Sequence, residues 1–428
     1  MKVLWLVNIV MPELAEHLGR SPSVFGGWLT GALNAVRGSE IKLVICTTHD
    51  DAGIHGRYEV NGVTYYIVPA GDVPAMQVAF RPILEQEQPD VVHLYGTEFE
   101  HTWALASIAD PEKTVVSVQG LVSFIYEHVF GGVPDTVARD TGLHKLLRRI
   151  HKGGNSIEEQ KARYAVRAKT EIATLKRVRY VNGGTNWGDS CARLIQPDVN
   201  ILPCELILRD SFYDGQMWDV NAIERHSIFT LYSYPIKGFD MFLRGLKWIV
   251  ALHPDTHVYV AANRCAYRGF SGLKKKIMDL APDYDWYVQG LIEQYGLKDH
   301  ITFLGYLSEK QMHERLLKSH VFVSASAIEN HSTALGEAMI LGVPSVASCV
   351  GGLQEMIDHG KDGFLYPFNE TYRMAEYVCR IFADDELAVR LSRKGHDHAA
   401  RTFDREQNCK DLLKMYEIIF NNRQRCVL

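Results

Sequence analysis

Short apolar runs rich in β-branched and aromatic residues recur along the first half of the chain, separated by longer stretches that read as helices. Parallel strands covered on both faces read as continuous apolar runs, and strands that alternate with helices indicate crossover units. The first half therefore predicts a doubly wound α/β domain. Its six predicted strands are KVLWLVNIV (2–10), KLVICT (42–47), VTYYIVP (63–69), VVHLYG (91–96), TVVSVQG (114–120) and RVRYVNG (177–183).

The second half repeats this alternation, so we predict a second domain of the same class. Its predicted strands are SIFTLYSY (227–234), HVYVAAN (257–263), ITFLGYL (301–307), VFVSAS (321–326), PSVASCV (344–350) and GFLYPF (363–368). The predicted division is a first domain at 1–205, a linker at 206–226, a second domain at 227–402 and a C-terminal helix at 403–428. Functional sites are expected where parallel strands end, in the crevice between the domains.

Composition narrows the class of protein. A length of 428 residues with 46% apolar residues suits two domains, and a net charge of −5 gives no reason to expect nucleic acid as a partner. Eight cysteines without a C-x-x-C pair predict neither a zinc site nor a disulfide framework, which fits a reducing cytoplasm. No apolar run reaches the ~18 residues that a membrane-spanning helix needs. The opening MKVLWLVNIVMPE is predicted to be a buried strand rather than a signal peptide.

Two glutamates lie eight positions apart where a buried strand gives way to a helix. VFVSAS reads as the strand, and ALGEAMIL reads as a helix that Gly342 ends. Ser332 and Thr333 are both N-cap candidates. Glu329 therefore falls in the loop before the helix, and Glu337 falls in or just after its first turn.

This arrangement suits a nucleotide sugar. The free N–H groups and the dipole of a helix N-terminus attract a diphosphate, and a carboxylate accepts hydrogen bonds from the hydroxyls of a ribose or a hexose. The alternative is a solvated Glu329 and a Glu337 that only complements the helix dipole. Spacing alone leaves both interpretations open.

The segment from Val321 to Gly363 resembles the signature of family 4 glycosyltransferases. It carries S-x-x-E-x7-E-A-M-x-x-G-x-P followed by GGLQEMIDHGKDGFL, and weaker similarity covers PDVVHLYG, PIKGFDMFL and ITFLGYLS. The resemblance implies the GT-B architecture, in which two Rossmann-like domains face a central cleft and a C-terminal helix crosses back to the first domain.

It also implies transfer of a sugar, with retained configuration, from a nucleoside-diphosphate sugar to a saccharide or lipid-linked acceptor in cell-surface polysaccharide or glycan biosynthesis. The donor is expected to be UDP- or GDP-linked, with no metal and no further cofactor.

Family roles carried onto this chain place the donor sugar on Glu329, the ribose on Glu337 and the diphosphate on Lys237 of SYPIKGFD. A fixed cation there stabilises a leaving diphosphate, although a loose lysine before a turn glycine is the alternative. Gly26 and Gly27 open a helix and allow close backbone approach to a phosphate, unless they form a simple turn. The other predicted donor-binding residues are Arg264, Tyr306, Leu307, Asn330, His331, Ser332, Thr333, Ala334 and Leu335.

The chain departs from the family pattern at two places. Tyr232 stands in LYS where the family commonly has the arginine of G-R-L, and Arg264 either replaces that charge or is a surface residue. Gln119 stands where many members have a histidine, and it is a candidate catalytic-site residue whose amide can hydrogen-bond a donor or acceptor hydroxyl but does not titrate. His93 is the alternative acid–base candidate, and a structural histidine is the competing interpretation.

A basic segment precedes the last predicted strand of the first domain. Between Lys145 and Arg179 there are eleven Lys and Arg against three Glu, and LHKLLRRIHK is amphipathic. Residues 143–179 are therefore predicted to contact an anionic membrane or a phosphorylated acceptor, or else to form a solvated helical face.

Two other classes of function stay open at this stage. A sugar phosphorylase or epimerase of the same fold is one, and a nucleotide-sugar-binding protein without turnover is the other. The replacements at Tyr232 and Gln119 are what suggest the second.

Overall fold

The computed structural model describes residues 1–22, 26–139, 156–262 and 283–426, with side chains up to residue 422. The chain forms two compact units. Unit 1 comprises Met1–Phe124, Ala165–Asp210 and Thr402–Leu428, and unit 2 comprises Ile125–Tyr164 and Ser211–Arg401.

Unit 1 is built on an eight-stranded sheet with the order β3-β4-β2-β1-β5-β6-β7-β8. Every neighbouring pair is parallel except β3 and β4, which are antiparallel. Its central strands are apolar on both faces, as a sheet covered by helices on each side requires. The strands are β1 (Lys2–Leu6), β2 (Lys42–His49), β3 (Gly56–Val60), β4 (Val63–Pro69), β5 (Val91–Tyr95), β6 (Thr114–Ser117), β7 (Tyr180–Asn182) and β8 (Asn200–Ile201).

The two faces of this sheet bury two separate apolar clusters. One contains Val3, Trp5 and Ile45, and the other contains Leu4 and Val44 with residues of the helices that cover that face. The helices in this part of the chain are α1 (Pro12–His17), α2 (Gly27–Arg37), α3 (Val73–Glu87), α4 (Glu100–Ile108), α5 (Val122–Ile125), α6 (Asp135–Ala138), α7 (Ile157–Arg177) and α8 (Asn186–Ile195).

Unit 2 is built on a six-stranded parallel sheet with the order β11-β10-β9-β12-β13-β14. Its strands are β9 (Glu224–Tyr232), β10 (His257–Ala262), β11 (Ile301–Gly305), β12 (Ser319–Ser324), β13 (Ser345–Ser348) and β14 (Phe364–Tyr366). The helices from here to the end of the chain are α9 (Phe239–Leu252), α10 (Tyr284–Gln294), α11 (Glu309–Lys318), α12 (Thr333–Ile340), α13 (Leu353–Met356), α14 (Thr371–Ala383), α15 (Asp385–Thr402) and α16 (Arg405–Cys426).

Helix α16, the last of the chain, packs in unit 1 through a buried polar network. The Trp5 indole Nε1 donates to the Tyr416 hydroxyl at 2.9 Å, and the same hydroxyl lies 2.7 Å from Nδ1 of His93. The other ring nitrogen of His93 lies 2.8 Å from the Ser117 hydroxyl. Trp5 and His93 are thereby joined to a residue of α16 that lies 411 and 323 positions away in sequence, and Ser117 is linked to it through His93.

All twelve predicted strands are present, and two strands were missed. β3 was not predicted because its sequence, GRYEV, lacks a continuous apolar run. It is an edge strand, and most of its side chains are exposed. β8 has only two residues. Parallel pairing in both sheets confirms the predicted two-domain, Rossmann-like α/β class.

The residue bounds of the two units differ from the domain bounds predicted from the sequence. Residues 125–164 group with unit 2, and two glycines of this segment, both among the described residues, approach other parts of the unit closely. A Cβ atom on Gly131 would lie 2.3 Å from the carbonyl oxygen of Pro235, and one on Gly132 would lie 2.2 Å from the Met241 sulfur. Within the predicted linker, Phe212 and Trp218 are buried, so that segment packs as part of the fold.

Candidate active site

The candidate site lies where the order of strands in the unit 2 sheet changes direction. β9 pairs with β10 on one side and with β12 on the other, so the chain leaves the carboxyl ends of β9 and β12 in different directions. Such a switch point leaves a crevice at the carboxyl edge of a parallel sheet. Lys237 follows β9, and Glu329 follows β12.

The two loops are joined through their backbones. Residues Pro235–Lys237 form a single 3₁₀ turn that ends at Gly238, whose φ of +65° lies in the left-handed region. The Ala327 N–H donates to the Ile236 carbonyl at 2.7 Å. A Cβ atom on Gly238 would lie 1.8 Å from the Ala325 carbonyl oxygen, so only glycine allows this approach.

Lys237 and Glu329 form an ion pair across these loops. The Lys237 ammonium lies 2.7 Å from Oε1 and 2.8 Å from Oε2 of Glu329. The Ser326 hydroxyl donates to Oε2 at 2.7 Å. The pair is mostly enclosed, because the side chains of Lys237 and Glu329 are 23% and 13% exposed.

Burial lowers the pKa of Lys237, but the attraction of Glu329, with a smaller contribution from Tyr234, outweighs it. The net effect is a pKa raised above the ordinary value of 10.5. Lys237 is therefore a fixed cation throughout the physiological range, as a phosphate-binding residue must be.

The backbone of Glu329 is fixed by the loop that follows β13. The Gly352 N–H donates to the Glu329 carbonyl at 3.0 Å. Gly351 has a φ of +49°, and a Cβ atom there would lie 2.1 Å from the same carbonyl oxygen. The G-G pair at 351 and 352 thus sets the position of the glutamate loop.

Helix α12 begins four residues after Glu329. Ser332 is its N-cap, and the serine hydroxyl accepts a hydrogen bond from the Leu335 N–H at 3.3 Å. Thr333 and Ala334 are only partly buried, so the first turn keeps some access to solvent. A helix N-terminus in this position favours an anionic ligand through its dipole and its free N–H groups.

The other residues predicted around this helix are placed as follows. Glu337 is the fifth residue of α12 and is 1% exposed. Asn330 is buried and His331 is partly exposed in the loop before the helix. The sequence predicted the helix and left Ser332 and Thr333 as N-cap candidates, of which Ser332 is the cap, while the burial of Glu337 follows from tertiary packing.

Tyr306 and Leu307 follow β11, two strands from β9 and thus roughly 10 Å away across the sheet. The Tyr306 ring is 53% exposed and Leu307 is partly buried. Arg264, the predicted second cation, lies outside the described residues.

Tyr232 turns into the core of unit 2 instead of the candidate site. Its hydroxyl donates to Asp285, and its ring stacks on Tyr284 at a centroid distance of 5.8 Å. The Tyr232 hydroxyl therefore joins β9 to α10.

In unit 1, the predicted glycines begin helix α2. Gly26 is the N-cap with a φ of +76°, and a Cβ atom there would lie 2.6 Å from Cδ1 of Ile9. A Cβ atom on Gly27 would lie 2.4 Å from Cδ of Arg209. The left-handed φ accounts for glycine at position 26 without reference to a ligand, whereas the atoms nearest to Gly27 belong to the flexible Arg209 side chain.

Gln119 follows β6, at the carboxyl edge of the unit 1 sheet. Its side-chain oxygen accepts a hydrogen bond from the Asn8 amide at 3.3 Å, and the residue is partly exposed. The amide is thereby oriented by a neighbour on the β1 side of the sheet.

The catalytic role predicted for His93 does not fit the geometry. Its ring is completely buried, both nitrogens lie within hydrogen-bond distance of hydroxyl groups, and burial lowers its pKa to about 3. A neutral imidazole in the core cannot exchange protons with a substrate, so His93 is a structural histidine of the α16 contact. Sequence reasoning kept this alternative open, but the deciding partner, Tyr416, is remote in the chain.

Glu98 is a buried carboxyl with a raised pKa. It follows β5 in unit 1 and accepts a hydrogen bond from the Thr97 N–H at 3.0 Å. Burial raises its pKa to about 7, and the nearby Glu171 adds to the rise. Glu171 itself accepts hydrogen bonds from Thr97, Val122 and Ser123.

The described part of the basic segment makes several contacts within the protein. Lys161 lies 3.8 Å from Glu127 in an ion pair, and the Arg177 guanidinium donates to the Ala109 carbonyl at 3.0 Å. Residues 140–155, which carry LHKLLRRIHK, lie outside the described residues. A membrane contact through 143–179 therefore stays a prediction.

Two kinds of feature are absent from the described part of the chain. No group of His, Cys, Asp and Glu side chains there is arranged to bind a metal ion. No helix there combines the length and the apolar character that crossing a membrane requires.

Residues 235–398 match the family described as Glycosyl transferases group 1. Spore coat protein SA of Bacillus subtilis is 26% identical over 184 residues, which cover 42% of this chain and 46% of that protein. Spore coat protein SA and seven other curated relatives each align with the chain along no more than half of their own length.

Two solved structures match nearly the whole chain. Sucrose-phosphate synthase from Thermosynechococcus elongatus has a TM-score of 0.69 and 16% identity, over 99% of this chain and 100% of that one. Anabaena HepE, in a complex with UDP and glucose, has a TM-score of 0.63 and 15% identity, over 97% and 99% of the two chains.

The fold is therefore the two-domain α/β architecture of GT-B glycosyltransferases, and the residues that match Glycosyl transferases group 1 lie within unit 2. Lys237 and both predicted glutamates lie inside the matched residues.

Proposed function

We propose that this protein is a retaining glycosyltransferase that moves a sugar from a nucleoside-diphosphate sugar to a saccharide or lipid-linked acceptor. The observation that carries the proposal is the ion pair between Lys237 and Glu329, fixed at the switch point of the unit 2 sheet and followed by the N-terminus of α12. A cation, a carboxylate and a helix N-terminus together match the diphosphate and the sugar of such a donor.

Each group has a distinct proposed role. Lys237 and the first turn of α12 bind the diphosphate, Glu329 accepts a hydrogen bond from the donor sugar, and Glu337 binds the ribose. A cation at ~4 Å from the leaving phosphate contributes on the order of 4 kcal/mol in an effective dielectric near 20. Catalysis then rests on positioning and charge stabilisation, and the leaving diphosphate takes the acceptor proton on the same face.

UDP is the first nucleotide to test, because the similar Anabaena structure is a complex with UDP and glucose. GDP is the alternative. Since Lys237 and the helix dipole supply positive charge at the diphosphate, we propose that transfer needs no metal ion and continues in EDTA.

A cytoplasmic location and an acceptor in cell-surface polysaccharide or glycan biosynthesis complete the proposal. The basic segment at 143–179 supports a lipid-linked or phosphorylated acceptor through charge attraction.

A thermal-shift panel of UDP, GDP, ADP and their common sugars tests the donor site. A ligand at a hundredfold excess over its Kd should stabilise the wild type by ~2.7 kcal/mol. Glu337→Ala should lose that response, whereas Glu386→Ala, which changes an exposed glutamate at the start of α15, should keep it. A wild type that responds to no nucleotide contradicts the proposal.

Product analysis then separates the classes of function. A transferase releases free nucleoside diphosphate in proportion to glycosylated acceptor, with the anomeric configuration retained. A phosphorylase consumes inorganic phosphate, an epimerase leaves the nucleotide attached, and a protein without turnover binds the donor but does not cleave it.

A further inference from the structure

Two buried serines connect Glu329 to the core of unit 2. The Ser326 hydroxyl donates to Oε2 of Glu329 at 2.7 Å, and the Ser348 hydroxyl donates to the Ser326 carbonyl at 2.6 Å. Both serines are buried. Ser348 is the last residue of β13, so these contacts extend from a buried strand of the sheet to the candidate sugar-binding carboxylate.

The direction of the contact is fixed by chemistry. An ionised carboxylate only accepts hydrogen bonds, so the Ser326 hydroxyl has to be the donor. Hydrogen bonds to a charged partner are shorter and stronger than neutral ones. Ser326 therefore restrains the orientation of the Glu329 carboxylate and not merely its loop.

A count of acceptor positions shows what Ser326 adds. A carboxylate has about four lone-pair positions. Lys237 uses one on each oxygen of Glu329, and Ser326 uses a second on Oε2, which leaves one on Oε1. With Lys237 and Ser326 as donors, the Glu329 carboxylate therefore keeps one acceptor position, on Oε1, for a ligand.

The two donors differ once a diphosphate is bound. Lys237 is a cation that a diphosphate attracts, so its contact with Glu329 weakens when the ligand is present. Ser326 is neutral and is anchored through Ser348. It is the donor that continues to orient the carboxylate in the loaded site.

We propose that Ser326 is a positioning residue that aims the Glu329 carboxylate at the donor sugar, and that Ser348 fixes Ser326 in place. This inference rests on the proposed function for its consequence in catalysis. Its structural part, the orientation of Glu329 by Ser326, does not depend on any ligand.

The first test compares crystal structures of unliganded Ser326→Ala and Ser345→Ala. Ser345 is a buried serine of the same strand as Ser348, and its hydroxyl donates to the Val343 carbonyl at 2.9 Å, away from Glu329. We expect the Glu329 carboxylate to leave its position or to adopt several conformers in Ser326→Ala alone. An unchanged, single conformer in Ser326→Ala overturns the inference, whatever the protein binds.

The second test measures Kd for UDP and for the UDP-sugar that stabilises the wild type. In Ser326→Ala, the ratio of the Kd for UDP to the Kd for the UDP-sugar should fall about tenfold. The Kd for UDP itself should stay within about twofold of the wild-type value. Ser326→Thr should restore the wild-type ratio because it restores the hydroxyl, and Ser348→Ala should fall between the two. Ser345→Ala should keep the wild-type ratio.

Turnover gives a readout that a general loss of stability would not produce. We expect kcat to fall about tenfold to a hundredfold in Ser326→Ala, with little change in KM for the acceptor. If the ratio of the Kd for UDP to the Kd for the UDP-sugar is the same in Ser326→Ala and Ser345→Ala, the proposed role of Ser326 in catalysis is wrong. If the wild type binds no nucleotide, the proposed function fails, and the crystal structures alone decide the orientation by Ser326.

Discussion

At the scale of single residues, the Lys237–Glu329 pair combines electrostatic attraction with enclosure. Removing one member of a mostly enclosed pair leaves the other charge without its counterion. We therefore expect Lys237→Met to destabilise unit 2 by roughly 1–3 kcal/mol, and the double variant Lys237→Met/Glu329→Gln to recover part of that loss. Urea unfolding of the two single variants and the double variant measures the coupling.

The pH range of this effect follows from the raised pKa of Lys237. A raised folded-state pKa contributes stability that is present below 10.5 and is lost as the pH rises through the folded value. The coupling should therefore be constant between pH 6 and 9. Additive single variants, with no recovery in the double variant, would show that the pair makes no net contribution.

Glu98 gives a second prediction at the same scale. Its pKa is about 7 in the folded protein and ordinarily 4.5, so the unfolded chain loses this proton first. The stability of unit 1 should fall as the pH rises from 4.5 to 7, by roughly 3 kcal/mol from this group. Glu98→Gln should therefore stabilise the protein at pH 8 and have little effect at pH 4.5.

The measurement is thermal unfolding at both pH values. Glu100→Gln serves as the control because it removes an exposed carboxylate at the start of α4. An equal gain for Glu98→Gln at both pH values would mean that the carboxyl is not held protonated by burial.

These residues also show how far the sequence leads. The strand-to-helix pattern and the family motif were sufficient to select Lys237 and Glu329, and the structure joins them directly. Ser326 was visible in the same S-x-x-E motif, but its contact depends on how the loop folds back. His93 was ambiguous because its two partners lie on other elements of unit 1.

At the scale of elements, glycines set how closely the site loops approach each other. Gly351 has a left-handed φ, and its missing side chain lets the loop contact the Glu329 carbonyl. Gly351→Ala should displace Glu329, so we expect loss of nucleotide-sugar binding as well as destabilisation of ~1 kcal/mol or more. Calorimetric titration and thermal unfolding report the two effects separately.

Gly296 offers a matched control for this substitution. Its φ is +67°, but a Cβ atom there would meet nothing within 4 Å. Gly296→Ala should therefore carry the backbone strain alone and keep ligand binding. If both variants bind equally well, the close contact at Gly351 is not what positions the glutamate loop.

The docking of α16 depends on one hydroxyl group. The Tyr416 hydroxyl satisfies both Trp5 and His93 in a fully buried site, so Tyr416→Phe leaves two polar groups without this partner. We expect a loss of roughly 2–4 kcal/mol and faster hydrogen exchange along α16. Tyr372→Phe, at an exposed ring, should change neither. Unchanged exchange in Tyr416→Phe would show that apolar packing alone fixes the helix.

At the scale of the whole molecule, local patterns predict the elements better than they predict which elements pack together. Apolar runs identified twelve strands, because a covered parallel sheet imposes that pattern wherever it forms. The assignment of residues 125–164 to unit 2 depends instead on close contacts such as that of Gly131 with Pro235, between positions about a hundred residues apart. No local signal in the sequence carries that information.

The two units share a sensitivity to acid that follows from buried neutral histidines. In unit 1 burial lowers the pKa of His93 to about 3, and in unit 2 burial lowers the pKa of His320 to about 4. The unfolded chain takes up a proton at each site near pH 6.5, whereas the folded protein does not. Stability is therefore complete above pH 6.5 and falls as the pH drops, until each folded-state pKa is reached.

Each histidine should cost about 1.4 kcal/mol per pH unit across that interval. We expect His93→Gln and His320→Gln each to reduce the slope of unfolding free energy against pH by this amount, and His17→Gln, at an exposed ring on α1, to leave it unchanged. Glu98 and Asp240 have raised pKa values, so they change the stability with pH in the opposite direction. Their contributions cancel because each variant is compared with the wild type at the same pH. Equal slopes in all four proteins, measured by urea unfolding between pH 4.5 and 7, would show that the buried imidazoles become protonated without unfolding.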